Sequence, residues 1–150
     1  MPGRYFGEWK EGDRITHQPS RTVTETDNLL FSTLTHNNQP LHLDAEAASK
    51  SEFGQILVNS TFTFSLAVGL SVADTTVGTL IGNLGFEQVT TPNPVFIGDT
   101  LTCHTEVAGT RPSRSRPGSG IITFRHEMTN QRGETVLICV RKALIAGAPE

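Results

Sequence analysis

Two imidazoles stand six residues apart in the stretch Thr35-His36-Asn37-Asn38-Gln39-Pro40-Leu41-His42-Leu43-Asp44, with three carboxamides between them. Imidazole is the side chain that gains and loses a proton near neutral pH, so this segment offers general acid–base chemistry. A carboxamide accepts no proton and can only orient a partner by hydrogen bonding. A second reactive group is the run from Arg111 through Arg114 and Arg116 to Pro117. Its three guanidinium groups suit phosphate or carboxylate oxygens, the alternative being a merely solvated basic loop. His17, His104 and His126 have no ligand-like spacing and read as surface or strand residues. Cys103 and Cys139 are the only cysteines and form no CxxC pair, so no metal site is expected. They read as buried thiols of a reducing compartment rather than as a disulfide.

The elements that must hold the His36–His42 segment can be read from caps and periodicity. Thr24 is an N-cap candidate, followed by Glu25 and Asp27, where carboxylates complement the helix dipole. Leu29, Leu30, Thr33 and Leu34 continue at helical spacing. Gln39 precedes proline and is pushed out of helical geometry. Asp44 caps a short helix over 45–50. Gly54 breaks the chain, and Asn59 or Ser60 caps the next helix. There Phe62, Leu66 and Leu70 recur every four residues, and Ala67, Val68 and Val72 leave little polar face, so this helix belongs in the middle of the fold. Beyond Asp74, segments near 79–90, 99–109, 119–129 and 134–146 are rich in Val, Ile, Thr, Leu and Phe and separated by turn residues. They predict an antiparallel sheet, the last two forming a long hairpin. Residues 1–12 read as an extended arm, Gly12-Asp13 as a turn, and 14–23 as a first strand with Ile15 and Val23 as apolar members. The sum is a single α+β domain over 1–150.

Composition narrows the function classes. The chain has 150 residues, and 12 basic against 15 acidic side chains give a net charge of −3. Without a basic stripe, nucleic-acid binding and polybasic membrane attachment are disfavoured. The N-terminus shows no apolar signal region. The uncharged stretch 53–73 carries too many polar side chains for a lipid-facing span. A cytoplasmic protein is the expectation.

The loop Pro40-Leu41-His42 with Asp44 resembles that of MaoC-like dehydratases, also called R-specific enoyl-CoA hydratases. The family pattern there is small-Gly-Asp-x-Asn-Pro-aliphatic-His, followed by a short helix beginning near Asp. The resemblance covers most of the chain. Residues 54–60 (GQILVNS) sit where that family enters its central helix, and Pro94-Val95-Phe96-Ile97-Gly98-Asp99-Thr100-Leu101 is similar to its strand-entry motif. Three departures stand out. The family's catalytic aspartate falls on Asn37. Its glycine and asparagine fall on His36 and Gln39. Its His-Gly at the start of the central helix is replaced by Asn59-Ser60. These variants resemble a subgroup acting on branched dicarboxylic thioesters such as mesaconyl-CoA.

The resemblance implies a hot-dog fold, an antiparallel sheet wrapped around a central buried helix, and reversible hydration of an α,β-unsaturated acyl-CoA. It implies His42 as the group that activates water, with Asn37 able only to orient it. Either His42 shuttles the proton alone or His36 takes a share. The amides of Ser60 and Thr61, at a helix start, suit the thioester oxygen. His36, Gln39, Asn59, Arg114 and Arg116 are the expected substrate contacts. Neither cofactor nor metal is implied beyond the coenzyme A of the substrate, and a homodimer or higher homo-oligomer is expected, with pockets at the seam. Two other readings stand beside the lyase. One is an acyl-thioester-binding module weakened by the loss of the acid at 37. The other is a thioesterase, which would need a carboxylate such as Asp27, Asp44 or Glu46.

Overall fold

Through most of the three long C-terminal strands every second residue is buried, the signature of a sheet with one face covered. The computed structural model describes residues 3–150; Met1 and Pro2, at the tip of the expected arm, lie outside the described residues. In chain order the elements are a 3-10 turn (Phe6–Glu8), β1 (Arg14–Thr16), β2 (Arg21–Thr22), α1 (Glu25–Leu34), α2 (Pro40–Leu43), α3 (Ala45–Ser49), α4 (Ser60–Thr75), β3 (Leu80–Thr90), β4 (Thr100–Pro112), β5 (Gly120–Thr129) and β6 (Thr135–Ile145). The sheet runs β1-β4-β5-β6-β3 with all pairs antiparallel, and β2 also pairs with β4. Its four long strands match the four runs expected from sequence.

Three expectations need correction. The first strand is not continuous over 14–23: it divides into β1 and β2, because Pro19 has no amide to donate to a ladder. The N-terminal arm contains the 3-10 turn, and Trp9 behind it is buried edge-on against Phe124, ring centroids 5.2 Å apart. His17 is not a surface residue but fully buried. It bonds Asp74 at 2.7 Å and the Thr105 hydroxyl at 2.6 Å, and that hydroxyl also meets His126 at 2.8 Å.

Helix α4 lies across the covered face of the sheet, as its apolar composition suggested. The residues it buries completely are small: Thr63, Ala67, Ser71 and Thr75, four apart. Small side chains let the helix axis approach the sheet closely, and the larger Phe62, Phe64, Leu66 and Leu70 pack half-buried on its flanks. Cys103 and Cys139 are free and buried beneath it. Desolvation pushes their thiols up, to about 12 and about 11. Arg141 is fully buried there too, its Nη2 donating to the Ser71 and Thr75 hydroxyls at 3.4 Å.

Helix α1 behaves differently from its sequence pattern. Its capping box forms as expected, with the Asp27 amide donating to Thr24 Oγ1 at 3.1 Å and the Thr24 amide donating to the Asp27 carboxylate at 2.8 Å. Yet Leu29, Leu30 and Leu34 face outward, 50%, 55% and 71% exposed, while Asn28 and Ser32 are buried. The inner face of α1 serves hydrogen bonds through Asn28 and Ser32, beside an apolar contact in which Phe31 meets Phe62 edge-on, ring centroids 5.7 Å apart. Among the described residues, no helix is long and apolar enough to cross a membrane.

Candidate active site

Helix α1 delivers the chain to the imidazole segment through a turn that closes its last carbonyls. The amide of Asn37 donates to Ser32 O at 2.8 Å and that of His36 to Thr33 O at 3.2 Å, the double bond of a Schellman ending. Such an ending needs a left-handed residue, and His36 supplies it with φ 57°. Where the family pattern has glycine, His36 thus takes a backbone conformation that favours glycine, at a cost of about 1 kcal/mol. Pro40 starts α2 at its first position, where the missing amide costs nothing. Asp44 then caps α3, its Oδ1 accepting from the Ala47 amide at 3.0 Å. His42 therefore rides on one helical turn pinned at both ends.

Two further ties fix the His42 ring. The Leu57 amide donates to Leu41 O at 3.0 Å, and His42 Nδ1 meets Leu57 O at 2.6 Å. A carbonyl only accepts, so Nδ1 carries the hydrogen and a neutral ring keeps its lone pair on Nε2. Behind the turn, Asn28 joins the two halves of the site. Its Nδ2 donates to His42 O at 2.9 Å, and its Oδ1 accepts from the Asn59 amide, also at 2.9 Å. Asn59 caps α4 in turn, its Oδ1 accepting from the Thr61 amide at 3.0 Å and its Nδ2 donating to Ser32 Oγ at 3.3 Å.

His42 and Ser60 share one cavity of about 320 Å³ with Thr63, the apolar side chains of Phe53, Leu57, Val58 and Val136, and the 91–95 stretch. That stretch is held by the strand-entry motif. Val58 N donates to Val95 O at 2.9 Å, Phe96 N to Asp99 Oδ2 at 2.9 Å, and Gly98 N to Val23 O at 2.8 Å. Gly98 has φ 94°, which only glycine adopts readily. Among the described residues, no carboxylate lines the cavity.

The expected site residues divide into those the fold brings together and those it does not. His42 and Ser60 meet at the cavity. Of the two helix-start amides, Thr61 is already bonded to Asn59, whereas Ser60 has no hydrogen-bond partner among the described residues. Asn59 is buried and caps the helix. Asn37 is half-buried, its Oδ1 accepting from the Gln39 amide at 3.2 Å, and neither residue lines the cavity. His36 is exposed and does not line the cavity. Arg114 and Arg116 lie between β4 and β5, beyond the Pro112–Gly120 pair and so at the far end of the sheet from Val136. The carboxylates that a thioesterase would need are engaged elsewhere: Asp27 with Arg21 at 2.6 Å, Asp44 in its cap and Glu46 with Lys50 at 2.8 Å. The guanidinium of Arg21 holds the Asp27 carboxyl well below the usual carboxylate range. Sequence reasoning missed Asn28 and Ser32. Their only signal was a pair of polar residues four apart in a helix, which ordinarily marks a solvent face.

A sequence model of the MaoC like domain matches residues 8–129. The chain belongs to this family. The mesaconyl-CoA hydratase of Cereibacter sphaeroides is 31% identical over 143 residues, covering 95% of this chain. This MaoC-like chain spans only 41% of that relative's length. A crystal structure of the monoamine oxidase regulatory protein from Archaeoglobus fulgius superposes with a TM-score of 0.87 at 35% identity, covering 99% of this chain and 98% of that one. A Mycobacterium tuberculosis protein with a double hot-dog fold superposes at 0.88 and 22% identity, with 99% of this chain on 46% of that one. The antiparallel sheet around α4 is accordingly a hot-dog fold.

Proposed function

We propose that this MaoC-like domain adds water reversibly to an α,β-unsaturated acyl-CoA thioester. The observation that carries the reading is the meeting at one largely apolar cavity of His42 and Ser60, whose amide has no partner among the described residues. His42 Nε2 takes a proton from water as the water oxygen bonds to Cβ. The C=C electron pair moves toward the thioester, and negative charge on its oxygen is met by the Ser60 N–H at the positive end of α4. Protonation of Cα from the imidazolium completes the addition of H and OH and returns the base to its starting form. His36 stands outside the cavity, so His42 carries the proton alone, and Asn37 acts by shaping the turn before Pro40. The reaction so written needs no cofactor or metal, and coenzyme A enters as part of the substrate.

The acyl group we propose is short, branched and dicarboxylic, as in mesaconyl-CoA. Support comes from the mesaconyl-CoA hydratase relative. Asn37 does not line the cavity and adds no charge effect of its own to that preference. Comparison of mesaconyl-CoA and crotonyl-CoA as substrates decides the point, with mesaconyl-CoA expected to be preferred. Equal or faster crotonyl-CoA turnover would sink the dicarboxylate assignment, and release of free thiol would sink the hydratase assignment in favour of thioester hydrolysis.

The domain pairs with a second copy along β3. This strand is the long outer edge of the sheet, and Leu80, Ile81, Leu84, Phe86 and Val89 on it are exposed. An uncovered apolar edge of that length invites strand pairing. The double hot-dog neighbour carries more than one such unit in a single chain.

A further inference from the structure

We propose that the Arg111–Arg116 loop of one copy binds the phosphates of the coenzyme A thioester held in the cavity of the other, so that each site is completed in trans. The inference rests on the hydratase reading and on pairing along β3.

Arginine pairing singles this loop out. Arg4, Arg14, Arg21, Arg125 and Arg132 each face a carboxylate of their own chain, and Arg141 is buried. Arg111, Arg114 and Arg116 are exposed, and among the described residues none of them is ion-paired. The loop is nevertheless closed on itself: Ser113 N donates to Ser119 O at 2.9 Å, Ser119 N to Arg116 O at 3.1 Å, and Arg116 N to Ser113 Oγ at 3.2 Å. An acidic chain thus presents three unneutralised guanidinium groups on one ordered hairpin end. Planar forks of this kind match phosphate oxygens.

Within one chain the loop cannot serve its own cavity. The cavity lies where β3 ends at Thr90 and β6 begins, level with the Thr102–Thr129 pair, whereas the loop follows the Pro112–Gly120 pair. Ten strand residues at about 3.3 Å each put roughly 33 Å between them. A two-fold axis changes the geometry. Two β3 strands related by it run antiparallel, so the Leu80 end of one lies beside the Thr90 end of the other. Leu80 pairs with Ile145, which pairs with Gly120, so the loop of the second copy shares the sheet end occupied by the first copy's cavity. Its hairpin is then three or four strands across the seam, on the order of 15–19 Å at ~4.8 Å per strand. That is about half the distance within one chain. The 91–94 stretch opens the cavity directly beyond the end of β3, at the seam.

Paired variants test this. In the triple variant Arg111→Gln/Arg114→Gln/Arg116→Gln, KM for crotonyl-CoA should rise about tenfold. The rise should vanish with crotonyl-pantetheine, which lacks the phosphorylated nucleotide. Co-expression with differently tagged His42→Ala then yields mixed dimers. Their only intact imidazole sits on the triple-variant chain, and binding in trans predicts a wild-type KM from that single site. A KM that stays raised in the mixed dimer would overturn the trans assignment. An unchanged KM in the triple variant itself would overturn the loop's role altogether. If the unmodified protein hydrates no enoyl thioester, the functional reading fails separately. Calorimetric binding of coenzyme A then still decides the loop, with weakening in the triple variant expected and unaltered affinity against it.

Discussion

Asn28 is the residue whose removal should tell most about how the site is held. It is 2% exposed, and its side chain spans from the carbonyl of His42 to the amide of Asn59. Asn28→Leu keeps the branched heavy-atom shape and deletes both bonds. Each orphaned backbone group costs about 1–3 kcal/mol, so the variant should lose roughly 2–6 kcal/mol of stability. Asn28→Asp is more selective. Its carboxylate still accepts from Asn59 but cannot donate to His42 O, and it sets a negative oxygen against that carbonyl. The turn bearing the imidazole should shift while α4 stays capped. A displacement near 1 Å at a reacting group lowers turnover on the order of 100-fold. Urea denaturation gives the first quantity, and loss of enoyl absorbance on hydration gives kcat and KM. The expected pattern for Asn28→Asp is a large fall in kcat with little change in KM. Because Asn28 acts through His42, adding Asn28→Asp to a His42→Ala background should cost no further activity. Wild-type kcat in Asn28→Asp, or full additivity with His42→Ala, would refute this reasoning.

Three further outcomes follow from the geometry. Ser60 is the first residue of α4, where proline is tolerated, and Asn59 already has the extended ψ of 120° that proline requires before it. Ser60→Pro should therefore fold normally yet lose about 100- to 1,000-fold in kcat relative to Ser60→Ala, which also lacks the hydroxyl but keeps the amide hydrogen; equal kcat in the two variants would exclude that amide as the oxyanion donor. His36→Gly should raise stability by about 1 kcal/mol in thermal or urea unfolding, with turnover intact, since glycine relieves the left-handed backbone. A drop in turnover would restore a chemical role to that imidazole. Desolvation holds buried His126 neutral, lowering its pKa to about 3 from the ordinary 6.5. The unfolded chain then binds a proton that the folded one refuses. No penalty exists above pH 6.5, and below it stability falls by roughly 1.4 kcal/mol per pH unit until about pH 3. His126→Leu should flatten that slope in urea titrations between pH 6.5 and 4, and an unaltered slope would contradict it.

The strands were legible because turn residues punctuate them: Asn93 between two prolines, Gly98-Asp99 and the 130–133 turn each fall at a strand boundary in the structure. Helix caps at Thr24, Asp44 and Asn59 were legible because side-chain capping is a local interaction. The inner face of α1 was not. Periodicity assigns the apolar stripe to the core, but Leu29, Leu30 and Leu34 point away from this chain's own core, and Asn28 is buried for bonds to residues 14 and 31 positions away. The proline–histidine loop named the candidate base, yet spacing could not say that Thr61 would be capped and Ser60 left free. Nor could it place Arg114 and Arg116 at the opposite end of the sheet, which depends on strand register.

The most direct test of His42 as the base is the progress of crotonyl-CoA and mesaconyl-CoA hydration by the unmodified protein and by His42→Gln, with folding of both checked by circular dichroism. A stable His42→Gln protein with turnover reduced by about 100-fold or more is the predicted result. Turnover within a few-fold of the unmodified protein would show that the proton moves through some other group.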